Sequence, residues 1–292
     1  MFFLFPVGVD YRTDRLPLVT FAIMSLCVLL YLIGMVLFVD QVGQTDALRD
    51  PLIDRFGLIP NKASFETWFT HMFLHAGFLH LLGNMMYLFL FGAVVEDQFG
   101  RLRFLLFFLV GGLIAAAVHI IFSNPSTAAI PMVGASGAIS SCLGAFVVIH
   151  PQTHVHFRYF FWLIFPFLNG EFTLPSWLVI SFWFLNDLIG FGLEILAPHK
   201  GGGVAFAAHI GGTIAGLLIA IGIRTLRWTR SSNSRTSHEG GPREIYLHHD
   251  GQKMGPFSRQ EVEYMRDTSV IGLGTYFWED GMNGWESISK LK

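Results

Sequence analysis

"PMVGASGAISSCLGAFVVI", residues 131–149, decides how this chain is read. Ser136 lies between Gly134 and Gly137 at the mouth of an apolar run, Ala138 to Ile149, that carries no charge. As a helix, Ser136 to Ile149 is about 14 residues long and at 1.5 Å rise covers only ~21 Å. The hydrocarbon core of a bilayer is about 30 Å thick. Such a helix must begin below the membrane surface, with the 123–135 loop dipping in before it. Irregular backbone at that depth must be buried in protein or line a wet cavity. Small residues around a serine also suit close helix packing in lipid. Ser136 is therefore either a packing residue or a nucleophile at a water-accessible site, and the rest of the chain must choose.

The surroundings are those of a membrane protein. Of 292 residues, 52% are hydrophobic and 14% charged, with mean hydropathy +0.52, too apolar for an ordinary soluble domain. Six spans are expected, at 16–39, 79–97, 103–122, 136–149, 174–196 and 204–224. After about residue 224 the sequence turns polar. The fold class is thus an α-helical polytopic membrane protein with six transmembrane helices plus a small soluble α+β domain. The expected division is a membrane domain at 1–230, a flexible linker "SSNSRTSHEGGP" at 231–242, and a folded module at 243–292. The module shows strand-like pieces, turn signals at Asp250-Gly251 and Asp280-Gly281, and a short helical stretch near 258–267. A net charge of −2 argues against a nucleic-acid partner. Cys27 and Cys142 lie in apolar runs, as small core residues and not a disulfide framework. The first run, Leu16 to Val39, is long enough to span and lacks a small-residue cleavage site, so no cleavable signal peptide is expected.

Basic residues orient the spans. Arg12 and Arg15 precede the first, Arg101 and Arg103 separate the second and third, Arg158 follows the fourth, and Arg224, Arg227, Arg230 and Arg235 follow the sixth. This places both termini in the cytoplasm. The segment 155–170, "VHFRYFFWLIFPFLNG", is interrupted by Pro166 and Gly170 and reads as an interfacial or re-entrant stretch.

Polar side chains inside spans are costly and default to functional candidates. His80 and Asn84, four residues apart, share a face of the second span. Ser136 opens the fourth, and His209 lies near the start of the sixth. With the amino terminus inside, these three spans run from the outer face inward, so all four residues fall at one depth. The set suits acyl transfer. A serine hydroxyl needs a base such as histidine to take its proton. The oxyanion needs donors already in place, which Asn84, His80 and the Ser136 N–H can supply. The stretch is not a G-x-S-x-G elbow, because Ala138 stands at the last glycine and no strand precedes it. Other readings stay open. Gly212 and Gly216 form a G-x-x-x-G face beside which His209 is a polar guest. His71, His75 and His80 could be metal ligands, but no H-E-x-x-H and no suitably spaced carboxylate accompanies them, so neither metal nor cofactor is expected. Asp187, in the fifth span, either orients His209 or makes a structural hydrogen bond, the commoner use of a buried carboxylate.

At these residues the sequence resembles the rhomboid intramembrane serine proteases, over roughly residues 15–225. His75, His80 and Asn84 in "HMFLHAGFLHLLGNMMYLFLFGAVVEDQFG" fit the family's H-x4-H-x3-N, "GASG" its G-x-S-G, and "AHIGGTIAG" its A-H-x-x-G-x-x-x-G. The resemblance implies a Ser136–His209 dyad, His80 and Asn84 on the oxyanion side, a structural His75, and a Glu96 that helps hold the first loop. Two positions depart from the family: Glu66 and Thr67 replace a Trp-Arg pair, and Ser140 replaces a tyrosine that in some bacterial members stacks on the catalytic histidine. The tail, with "GPF" at 255–257 and "YFWEDGMNGW" near its end, resembles a GYF domain of the second type. Met265 and Val270-Ile271 stand where a proline-reading groove would be aromatic, which implies the fold more than the peptide binding.

The expected function is intramembrane endoproteolysis in or near transmembrane segments of membrane proteins. The expected setting is a bacterial inner membrane, with the lipid bilayer and membrane substrates as partners and a cytoplasmic peptide or protein as partner of the module. A catalytically silent rhomboid-like scaffold that binds membrane helices is the alternative. A transporter or proton relay is disfavoured because the sequence shows no inverted repeat.

Overall fold

The computed structural model describes residues 2–37, 51–125, 127–162, 167–196, 203–234, 244–249, 251–268, 270–272, 274–279 and 281–291. They fall into two compact units, 1–222 and 223–292. The first holds the apolar helices α1 (Leu18–Leu37), α2 (Phe78–Phe99), α3 (Arg101–Phe122), α4 (Ser136–Ile149), α5 (Ser176–Leu196) and the start of α6 (Phe206–Ser234). Five are long and apolar enough to cross a membrane, and α4 is the short one.

The short helix is central because of its small residues. Gly137 through Phe146 are all buried, as expected of a helix apolar on every side. Gly137 packs on Ala115 and Gly111 on Ser141, so α3 runs antiparallel to α4. On the other side Gly212 meets the Gly137 carbonyl and Gly216 that of Ser141, so α6 runs parallel to α4 with backbone on backbone. By contrast α5 is peripheral: its buried residues are Ser176, Ile180 and Asp187. Exposed side chains such as Val36, Leu106 and Leu185 give the unit an apolar belt. Within α2, Leu88–Gly92 forms a π-helical turn, a widened segment often found near functional sites.

Among the described residues Glu96 serves the start of α1: its carboxylate accepts hydrogen bonds from Val19 N–H (3.0 Å), Thr20 N–H (2.7 Å) and Thr20 Oγ1 (2.8 Å). The physical reason is that the first amides of a helix lack intrahelical acceptors and favour a negative charge. Glu96→Ala is expected to cost about 2 kcal/mol, since charge-assisted bonds to buried donors are lost. Thermal unfolding in detergent measures this, and an unchanged midpoint would contradict it.

The described residues of the 155–170 segment, read from sequence as interfacial or re-entrant, are β-strands. β2 (His154–Trp162) pairs antiparallel with β3 (Phe167–Pro175) and with an amino-terminal strand, β1 (Phe2–Val9), in the order β1-β2-β3. Val155 and Phe157 are buried on one face, a two-residue alternation that an aromatic-rich strand supports. The β1 partner is about 150 residues away in sequence, so only the fold reveals the pairing.

α6 continues through Ser234, so the first four residues of the stretch expected to be linker are helical; 235–243 lie outside the described residues. In the second unit, β4 (Ile245–His249), β5 (Gln252–Phe257), β6 (Tyr276–Glu279) and β7 (Glu286–Ser287) form an antiparallel sheet of order β5-β4-β6-β7. Gly251 and Gly281 take positive φ at the expected turns. Helix α7 (Arg259–Asp267) begins with a capping box between Ser258 and Glu261. The core is Ile245, Leu247, Val262, Ile271, Phe277, Ile288 and Leu291, with Met265 packed on it. Ile271 and Met265 thus serve the core, while Val270 is exposed.

Candidate active site

The site is built where three helices begin. Ser136 is the first residue of α4, His80 the third of α2, and His209 the fourth of α6. Helix amino termini carry free N–H groups and partial positive charge, so their meeting favours a developing anion.

The turn into Ser136 requires a glycine. Gly134 has φ +117, a conformation rarely open to residues with a Cβ. A Cβ there would also stand 2.8 Å from the His80 ring and 3.4 Å from Asn84 Nδ2. The backbone leading to Ser136 therefore lies directly against His80 and Asn84 of α2. Three of its backbone groups pair with the 51–78 segment. Gly134 N–H donates to the His71 carbonyl (2.9 Å), and Leu58 and Met132 exchange backbone bonds of 3.0 and 2.8 Å. This is how irregular backbone survives at the depth inferred for the 123–135 loop.

Asn84 is buried, and its Nδ2 has no hydrogen-bond partner. Buried amides are rarely left so, and this one faces the turn that presents the serine. His80 is exposed and packs edge-on against buried His75, ring centroids 5.2 Å apart. Burial pushes the His75 imidazole down to about 4, so it is neutral at physiological pH.

His209 is 8% exposed. Its Nδ1 hydrogen-bonds Asp187 Oδ1 at 3.1 Å, which leaves Nε2 as the nitrogen free for chemistry. The preceding Ala208 lies next to Gly137, and the His80 and His209 rings are within electrostatic reach. No hydrogen bond joins Ser136 Oγ to His209, a looseness common in catalytic pairs without substrate. A cavity of about 10 Å³ beside Ser136, lined also by His71, Gly134, Ala205 and Ala208, is near the least volume that holds one water. The larger cavity, about 530 Å³, lies among Tyr11, Arg15, Asp97, Arg101 and Arg103 and includes none of the candidate catalytic residues. Among the described residues no three His, Cys, Asp or Glu side chains form a metal-holding group.

Two histidines were not singled out for the roles they hold. His71 supplies the carbonyl that anchors Gly134, and its ring Nδ1 bonds the Thr67 carbonyl at 2.8 Å. Thr67, one of the departing positions, is thereby part of the loop's own anchorage, together with its side-chain bonds to Ser64. His119, on α3, is within electrostatic reach of His71 and His209. The signal for His119 was present, since it is an ionisable residue inside an expected span.

Residues 62–225 match the Rhomboid domain family, and residues 246–292 match GYF domain 2. Rhomboid protease GlpG of Haemophilus influenzae is 27% identical over 202 residues, 68% of this chain and 88% of that protein. Rhomboid protease GluP of Bacillus subtilis is 31% identical over 137 residues, 46% of this chain and 25% of the relative. Mouse Rhomboid-related protein 2 is 30% identical over 179 residues, 60% of this chain and 52% of the relative. The chain thus spans most of the first relative, a quarter of the second and about half of the third.

Proposed function

The chain belongs to the rhomboid family, and we propose that it is an intramembrane serine endopeptidase that cleaves peptide bonds in or near transmembrane segments of membrane proteins. Ser136 Oγ attacks the scissile carbonyl carbon while His209 Nε2 takes its proton. The oxyanion is held by Asn84 Nδ2, His80 and the Ser136 N–H. Collapse breaks the C–N bond, and His209 returns the proton to the leaving amine. Water then hydrolyses the acyl ester by the same steps in reverse roles. No metal or cofactor enters. Because a helix hides its amides, segments with small or helix-breaking residues near the scissile bond are favoured.

One observation carries this reading: Asn84 Nδ2, a buried donor with no partner, aimed at the glycine turn before Ser136. A scaffold that only binds helices has no need of an unpaired buried donor beside a serine. A serine-directed fluorophosphonate probe on the detergent-solubilised full chain tests it. Wild type should label and Ser136→Ala should not; absent or equal labelling sinks the enzyme reading.

We place both termini in the cytoplasm, supported by Arg224, Arg227 and Arg230 in the last turns of α6 and by Arg235, the next basic residue in the sequence. His209 sits in the first turn of α6, and Leu226 lies 17 residues further on, ~26 Å along the axis. The C-terminal module has its own core and exposes Tyr276 and Trp285. In this reading it recruits substrates or partners through a cytoplasmic peptide. A chain ending at Ser234 should cleave a minimal transmembrane substrate in detergent at the wild-type rate, and lose selectivity only among full-length substrates. Loss of minimal-substrate cleavage with the core folded would make the module part of the enzyme proper.

A further inference from the structure

The peripheral helix α5 contributes one carboxylate to the interior. Asp187 is 2% exposed, seven residues after Ile180 and so on the same inward stripe, whereas Leu185, Leu188 and Ile189 on either side are exposed. A carboxylate inside a membrane protein is costly and needs a partner. Asp187 Oδ1 bonds His209 Nδ1 at 3.1 Å, and Oδ2 has no partner at all. Among the described residues no aromatic ring packs on His209; the bond to Asp187 is what fixes its ring and tautomer.

We infer that Asp187 is a positioning residue, making the machinery a Ser136–His209–Asp187 triad; this rests on the proposed protease function. A buried carboxylate with one hydrogen bond and an unpartnered second oxygen is poorly compensated in the resting protein. When His209 takes the serine proton, the ring becomes a cation facing that carboxylate, and the pair is worth more. The interaction is therefore stronger in the transition state than before it, which is what accelerates a step. The proton stays on His209 and returns to the leaving amine; Asp187 remains ionised throughout. A structural carboxylate would instead have both oxygens spent on backbone or hydroxyl donors, as Glu96 does at the start of α1.

The test compares Asp187→Asn with wild type as full chains in detergent, cleaving a transmembrane reporter, with kcat and KM measured separately. The amide matches the carboxylate in shape but presents no charge to the imidazolium. The expected result is a fall in kcat of at least ~10²-fold, toward the about 10⁴ seen when a triad acid is neutralised, with KM within about threefold and the thermal midpoint held. In a His209→Ala background the same substitution should have no further effect. A kcat within tenfold of wild type, or an equal additional loss without His209, overturns the triad. Should the Asn protein not fold, Asp187→Gln is judged by the same criterion. Failure here leaves Ser136-dependent probe labelling intact, whereas failure of the protease reading removes that labelling in wild type.

Discussion

Ser136→Ala is expected to abolish cleavage of a transmembrane reporter, a loss of about 10⁶-fold if it matches other nucleophile deletions. Folding should be unaffected, because the hydroxyl makes no hydrogen bond in this structure and the side chain shrinks by a single oxygen. His209→Ala should fall to the same floor, since nucleophile and base act as one unit and their losses do not add. Asn84→Ala should be milder, about 10² in kcat, because one oxyanion donor of several is removed. The order of the three variants is as informative as their size. The measurement is turnover of a purified full chain on a reporter, alongside its thermal midpoint. Turnover in Ser136→Ala within about 10²-fold of wild type would refute the assignment, because deletion of a true nucleophile leaves only the small residual rate that oxyanion donors and binding supply, and an Asn84→Ala loss equal to that of Ser136→Ala with a lowered thermal midpoint would make Asn84 structural.

Gly216→Ala is expected to have the next largest effect, and through packing. A Cβ at Gly216 would sit on the Ser141 carbonyl of α4, where only backbone surrounds it and no flexible side chain can yield. The helices must separate, at a cost of about 3 kcal/mol for overpacking. Because α6 also carries His209, two turns away, the shift moves the base relative to Ser136 and turnover falls with stability. Gly222→Ala, later on the same helix, meets nothing within 4 Å and should be neutral or mildly stabilising. Thermal unfolding of the two variants decides the matter: equal midpoints would mean that the α4–α6 seam is not tight at Gly216.

Both predictions rest on residues that the sequence already marked, and the reason is physical. A membrane permits few polar side chains inside it, so His80, Asn84, Ser136, Asp187 and His209 stand out against apolar runs without any coordinates. The shortness of the Ser136–Ile149 run, with its small residues, likewise announced a short, closely packed helix. Turn chemistry at Gly251 and Gly281 is a local rule and marked the module's turns, and the short helical stretch near 258–267 was legible beside it. What depends on partners distant in the chain was not legible. β1 is strand only because residues 154–162 lie beside it, and the aromatic-rich 155–170 segment alone could not reveal that neighbour. The work of Glu96 at the start of α1 needed the two helices side by side. The bond between Asp187 and His209 Nδ1 likewise needed α5 and α6 side by side. Sequence determined which polar groups the membrane would tolerate and at what depth, because burial cost is a property of each residue type. Tertiary structure alone decided which of them touch, because a hydrogen bond depends on the meeting of two helices whose spacing no local pattern encodes.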